Sequence, residues 1–368
     1  MADQSQDMQS YNSDEIDLRA LFSTLWQGRI HIFVITLLFT VAAAAYAMTA
    51  QEWWTAKAII DKPQLSDYQD YYASVKELDL IFSASQDFDV KNDLGEFQLS
   101  QYIDPSILRA KFVQVFNSQS SKGEFLLQDE VFLSRLNGKT GNKKNVLLGV
   151  KEWGGKISAV LDDKKQPEGI IVLKFQSTGS TESAEQLQRY IDFSQARASS
   201  DLLNNLLAEQ KAQQIFSQLK LDQLIQSTEQ FVKLEIQRYR SALNIAASAF
   251  LNSPLEDQKG GDYFPIQLGS KAIEAKLKEL QGLANLSLVN PGIAVLTNQL
   301  ERLKAFELNP KLEFSMFSYV DGVGEPLTRD KPKRALIVVT STILGFFLGL
   351  ILVYTVAVLR SNFVRRSV

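Results

Sequence analysis

The chain contains no cysteine, one histidine and nine prolines in 368 residues. Without cysteine there is no disulfide framework, no thiol nucleophile and no Cys-based zinc site. A single His31 makes any Ser-His-Asp triad or multi-histidine metal site hang on one residue. Neither sign of charge prevails, since 39 basic and 42 acidic side chains leave a formal −3. Nucleic acid, which needs a basic excess or stripe, is therefore not expected as a partner. Length alone suggests two or three domains. With 45% hydrophobic and 22% charged residues the average looks like a soluble protein, but the apolar residues are concentrated at the two ends.

Residues 30–50 and 335–359 carry no formal charge. About 20 apolar residues cross a hydrocarbon core roughly 30 Å thick, so both segments qualify as transmembrane helices. Trp26 precedes the first, and Trp53 and Trp54 follow it, where aromatic rings favour the headgroup region. The second segment competes with a buried core helix, and the first with a signal peptide ending near Ala45-Tyr46-Ala47. A signal peptide wants a short positive leader. Residues 1–29 instead carry Asp3, Asp7, Asp14, Glu15 and Asp17 against Arg19 and Arg29, which favours an uncleaved anchor. Two anchors place both tails on one side. Arg360, Arg365 and Arg366 favour a cytoplasmic C-terminus, although Lys331, Lys333 and Arg334 at the other end of the span vote against it.

Residues 1–11 are polar, which predicts disorder. Asn12 and Glu15 form a capping pair before a helical 3.6-residue pattern through Trp26. This predicts either a membrane-surface helix or an extension of the first span. Beyond that span, residues 54–61 alternate as a strand. Residues 68–82, 105–116 and 125–136 read as short helices, and 156–162 and 169–176 as strands joined by a turn-like segment. Residues 314–320 are a fourth strand candidate. Strands one and four flank the two spans, so their sheet belongs next to the bilayer.

Residues 180–253 contain no glycine or proline, and Ser180 or Thr181 can cap them. One helix of that length would reach about 105 Å, so it should project from the sheet as a stalk. The alternative is two or three helices. Eleven glutamines, among them Gln210, Gln213, Gln214 and Gln218, leave the stalk poorly covered by its own apolar residues. Either neighbouring copies meet it at a seam including Phe216, Gln223 and Phe231, or residues 271–288 and 291–306 return along it.

Catalytic chemistry is not apparent. Gly138-Lys139-Thr140 imitates the end of a P-loop, but the glycine required five residues earlier is Leu133. Asp162 and Asp163 sit in a lysine-rich turn, where a solvated loop is favoured over a glycosidase pair. His31 reads as an interfacial residue. No cofactor or metal is expected.

The layout resembles the Wzz family, the chain-length determinants of bacterial O-antigen and related surface polysaccharides, class 1 polysaccharide co-polymerases. The resemblance rests on Asp14-Glu15-Ile16-Asp17-Leu18, Leu25-Trp26, the strand at 54–61, and Ala184, Leu187 and Tyr190-Ile191. It rests further on Pro326, Pro332, Lys333-Arg334 and the Gly345-x-x-x-Gly349 pair. The family's proline-rich segment is usually denser than this one. The resemblance implies an α+β membrane protein, with two transmembrane helices flanking a periplasmic domain built of a membrane-proximal α/β base and a long helical stalk. Its parts would be a cytoplasmic tail (1–29), span one (30–50), the periplasmic domain (51–334), span two (335–359) and a short cytoplasmic tail (360–368). It also implies no enzymatic activity, a ring-like homo-oligomer in the Gram-negative inner membrane, a Wzy-type polymerase as partner, and a lipid-linked glycan nearby. Pro326, Pro332, Gly345 and Gly349 are candidate packing or partner contacts. Gly345 and Gly349 could face the first span, a neighbouring protomer or the polymerase. Nine residues after Leu359 leave no room for the tyrosine-kinase domain of a related co-polymerase class. A two-anchor sensor, a glycan hydrolase, and a length regulator of common antigen or capsule are the competing readings.

Overall fold

The computed structural model describes residues 23, 25–83, 99–136, 142–163, 169–254 and 263–366. The predicted N-terminal surface helix lies almost wholly outside them, as does Gly138-Lys139-Thr140. Helix α1 (Arg29–Thr49) is the first apolar span, and it leads into strand β1 (Trp54–Asp61). Helix α2 (Gln69–Ser83) follows, then α3 (Pro105–Asn117), α4 (Gln119–Leu126), α5 (Glu130–Arg135) and α6 (Lys143–Gly154). Strands β2 (Ile157–Leu161) and β3 (Ile171–Ser177) come next, then the long helix α7 (Ser180–Ser248). Helices α8 (Gly269–Gln281) and α9 (Pro291–Ala305), strand β4 (Ser318–Gly324) and helix α10 (Arg334–Arg366) complete the chain.

The sheet is antiparallel in the order β2-β3-β1-β4. In β1 the alternation of a half-buried strand places Ala56, Ala58 and Ile60 inward while Lys57 faces out. The first turns of α7 cover that inner face through Leu187, Tyr190 and Ile191. Tyr190 is the hub: its ring lies 4.7 Å from Phe116 and 5.0 Å from Phe125, and its hydroxyl donates to the Phe116 carbonyl at 2.7 Å. Burial raises the Tyr190 pKa well above its ordinary value, so the hydroxyl stays a neutral donor.

Local chemistry sets the element starts. Asp104 caps α3 ahead of Pro105, Ser118 caps α4, Asp129 caps α5, Asn142 caps α6 and Asn290 caps α9 ahead of Pro291. The segment 125–136, expected as one helix, is split because Asp129 turns its carboxylate onto the Phe132 N–H and starts a new helix. Helix α6 was missed from the sequence. Its signal was there, in Asn142 as cap and in Val146, Val150 and Trp153 at helical spacing.

Helix α7 is a single element of 69 residues, about 104 Å long. Two details differ from expectation. Its N-cap is Gly179 rather than Ser180 or Thr181, because the Ser180 hydroxyl is engaged with the Pro326 carbonyl at 2.7 Å. It ends at Ser248 rather than 253, where Phe250 adopts a left-handed φ of +52° and the Leu251 N–H closes back on the Ala246 carbonyl. Fourth-strand pairing begins later than expected, at Ser318, since Phe314 and Phe317 are spent on the core. The first returning helix stops at Gln281, and Gly282 follows it.

Candidate functional site

Helices α1 and α10 pack against each other, and the sequence supplies the reason. Both carry small or short polar residues on one face, so their backbones can approach. A β-carbon on Gly345 would lie 2.8 Å from the Phe39 Cβ, and one on Gly349 would lie 3.1 Å from the Ile32 Cα. Gly28 meets Val353 in the same way at one end of the pair. Between the two helices the Thr40 and Thr342 hydroxyls lie 3.0 Å apart; one of them donates to the other, which donates to its own helix, Thr40 to the Thr36 carbonyl or Thr342 to that of Val338. Of the three partners open to Gly345 and Gly349, the structure brings them to the first span of the same chain. The outer faces stay uncovered, with Phe33, Leu38, Val339, Phe347 and Ile351 exposed, as expected of helices surrounded by lipid.

Where the two helices meet the sheet, the chain is clamped. The Trp53 N–H donates to the Lys331 carbonyl at 3.0 Å, and the Asp330 N–H to that of Trp53 at 2.9 Å. Arg334 Nε donates to the Ala47 carbonyl at the end of α1, while its Nη2 reaches Glu52 Oε1 at 2.8 Å. Arg329 meets the same oxygen at 3.1 Å. A cation at a helix C-terminus is favoured by the helix dipole, so Arg334 serves α1 and Glu52 together. Pro332 follows Lys331 in this clamp, and Pro326 holds the start of α7 through Ser180.

The stalk is a hairpin over much of its length. Leu221, Ile293, Leu296 and Leu300 form one apolar cluster between α7 and α9, and Ala242, Ala246 and Ile273 form another between α7 and α8. Several glutamines act within the chain. Gln210 Nε2 donates to the Leu303 and Phe306 carbonyls at 3.0 and 2.9 Å, and Gln214 to Leu303 at 2.7 Å, capping the C-terminus of α9. The same device recurs where buried Gln299 donates to the Ile81 and Phe82 carbonyls at the end of α2. Periodicity could not reveal these pairs, which lie 89 to 218 residues apart. Of the three seam candidates, Gln223 and Phe231 are exposed and Phe216 is half-buried.

A polar cleft of about 390 Å³ lies between α3, α4 and α7, lined among others by Lys111, Gln114, Ser121, Arg197, Asp201 and Asn205. Beside it burial lowers the pKa of Lys122, which is 5% exposed. Among the described residues no cluster of three or more metal-ligating acids and histidines occurs.

A small antiparallel sheet clamped to two apolar helices, with one helix of 69 residues rising from it, defines a polysaccharide co-polymerase fold. A solved full-length bacterial polysaccharide co-polymerase aligns over 95% of this chain and 99% of its own, with a TM-score of 0.60 at 18% identity. The Shigella flexneri lipopolysaccharide O-antigen chain-length regulator aligns over 75% of this chain and all of its own, with a TM-score of 0.50 at 17% identity. Residues 14–126 match the model of the Wzz chain length determinant protein family. In sequence, the chain is 26% identical over 350 residues to the ECA polysaccharide chain length modulation protein of Escherichia coli K12, covering 91% of this chain and 93% of that one. Residues 14–126 thus resemble a Wzz chain length determinant domain, and the whole chain is similar in sequence to a chain length modulation protein.

Proposed function

We propose that this protein is a non-catalytic regulator of surface polysaccharide chain length, working as a ring-like homo-oligomer beside a Wzy-type polymerase in the Gram-negative inner membrane. The observation that carries this reading is the span pair locked by Gly345 and Gly349, which fixes one base and one stalk of about 104 Å on a rigid membrane foot. A glycan growing at the membrane would meet a scaffold of fixed height. Residues 51–334 stand in the periplasm, with 1–29 and 360–368 in the cytoplasm. Arg334, one of the three cations that vote against that orientation, is engaged with Glu52 and the Ala47 carbonyl, which weakens that vote beside the C-terminal arginines.

The glycan is O-antigen in the first reading. The likeness to a modulator of ECA chain length supports common antigen as the second. Gel profiles of both glycans from a deletion strain test the proposal. Loss of the modal length of one of them is expected, restored by the intact gene. Unchanged profiles of both would overturn it.

A further inference from the structure

Helix α6 carries a face that the fold leaves uncovered. Val146, Gly149, Val150 and Trp153 point inward, with Gly149 against Leu136 and Phe132. On the opposite side Leu147 and Leu148 are 59% and 56% exposed. At 100° per residue, Lys143, Leu147 and Lys151 form one column and Lys144 and Leu148 the next, all within about 140° of arc. Three lysines against Glu152 leave this helix at +2. Exposed leucines framed by lysines describe a helix that lies in a membrane interface, apolar side chains among acyl chains and ammonium groups among phosphates.

The position of α6 fits that surface. The Trp153 ring packs edge-on to Trp53 at 5.9 Å, and Lys156 Nζ sits 3.4 Å above the Trp53 ring. Trp53 stands four residues past Thr49, the last residue of α1, so chain geometry holds it within about 14 Å of the end of that span. The headgroup layer beyond the hydrocarbon core is roughly 5–8 Å deep on each side, and tryptophan favours it. The end of α6 is thus tied to the level at which the chain leaves the bilayer.

We infer that α6 docks on the anionic headgroup layer of the membrane that α1 and α10 cross, with Leu147 and Leu148 inserted and Lys143, Lys144 and Lys151 on lipid phosphates. This contact would fix the tilt of the base, and hence the direction of the stalk, at a point outside the span pair. It rests on the membrane placement proposed above.

The test uses the whole 368-residue chain, which has no cysteine of its own. Single cysteines replace Leu148, the mid-span Leu344 and the stalk residue Gln223, each labelled with an environment-sensitive fluorophore. The proteins are reconstituted in vesicles of phosphatidylcholine with or without phosphatidylglycerol, containing a quencher at headgroup or acyl depth. Headgroup-level quenching at 148 should exceed that at 223 by about threefold or more in anionic vesicles, and K143E/K144E/K151E should abolish the excess. A label at 148 that stays accessible to aqueous iodide would overturn the inference. So would one shielded from both iodide and lipid quencher, the sign of a second copy covering the face. Absence of deep quenching at 344 would overturn the membrane placement itself, whereas quenching at 344 without quenching at 148 removes only the α6 contact.

Discussion

Gly349 lies against Ile32 so closely that a β-carbon on the glycine would sit 3.1 Å from the Ile32 Cα and 3.3 Å from its carbonyl oxygen. At that separation the neighbour on one side is backbone, which cannot swing away as a flexible side chain could. The G345L/G349L variant should therefore force the spans apart. Membrane insertion survives, because both helices remain apolar, while the distribution of polysaccharide lengths broadens. A gel profile indistinguishable from wild type would show that close span packing does not matter for length control.

The same packing predicts a crosslink. The Thr40 and Thr342 hydroxyls are 3.0 Å apart, so T40C/T342C should oxidise to an intramolecular disulfide in intact membranes. After cleavage in the loop between the spans, the two fragments should stay together until reductant is added. Dimers alone on a non-reducing gel would mean that the spans pair between chains.

Buried Asp129 accepts hydrogen bonds from the Phe132 N–H, from Gln186 at 2.7 Å and from Arg189 at 2.6 Å. Asp129→Ala removes the start of α5 and leaves a buried amide without its partner, at a cost of about 2–4 kcal/mol. Arg189→Ala should cost less, since its guanidinium is half-exposed and can be replaced by water. Denaturant unfolding of the two variants should keep that order.

Gln210→Ala strips the part-buried Phe306 carbonyl of its side-chain donor and leaves the Leu303 carbonyl to Gln214 alone. The expected loss is about 1–3 kcal/mol. It should appear as faster hydrogen exchange at the α9 end of the stalk before any change in the base. Gln223→Pro breaks the backbone ladder of α7 at an exposed position, costing about 3 kcal/mol or more locally. The base should persist while the modal length shortens or is lost. Single cysteines near Phe216 and Phe231 should crosslink protomers if neighbouring stalks meet there; products that remain monomeric in a protein that still controls length would show that the seam lies elsewhere.

Lys122 provides a pH test. Burial lowers its folded pKa below the unfolded value, so the unfolded chain binds the extra proton between the two. Stability should then rise with pH across that alkaline window, while the burial penalty is fully present below it. Lys122→Met keeps the chain length without the charge. Its melting temperature should exceed wild type at pH 7, and the gap should narrow toward pH 10. A gap independent of pH would mean that packing, not ionisation, decides the difference.

How far the sequence alone reached depends on the range of each signal. The two spans were legible because hydrophobic runs are local. So was strand 54–61, where alternation over eight residues leaves one reading, and so were the starts of α3 and α9, where a cap residue precedes proline. The long helix was legible from an absence, since no glycine or proline interrupts 180–253. Its end was not. Termination at Phe250 uses a left-handed residue that composition does not announce, and it is held by the Leu251–Ala246 bond.

What only the tertiary structure decided are pairings between distant residues. Gly345 and Gly349 could be read as a packing face, but their partner, Phe39 and Ile32 of the same chain, depends on the clamp at Trp53, Glu52 and Arg334 that brings α1 beside α10. The stalk glutamines left open contacts with neighbouring copies or with a returning segment of the same chain. Gln210 and Gln214 cap a helix end within the chain, as Gln299 does elsewhere, because a side-chain amide is satisfied by whichever free carbonyl the fold brings near. Local sequence thus fixes which segments are helix, strand or membrane span, since those choices turn on spacing and burial along one element. Which faces meet turns on contacts across tens to hundreds of residues, and these exist only once the chain has closed on itself.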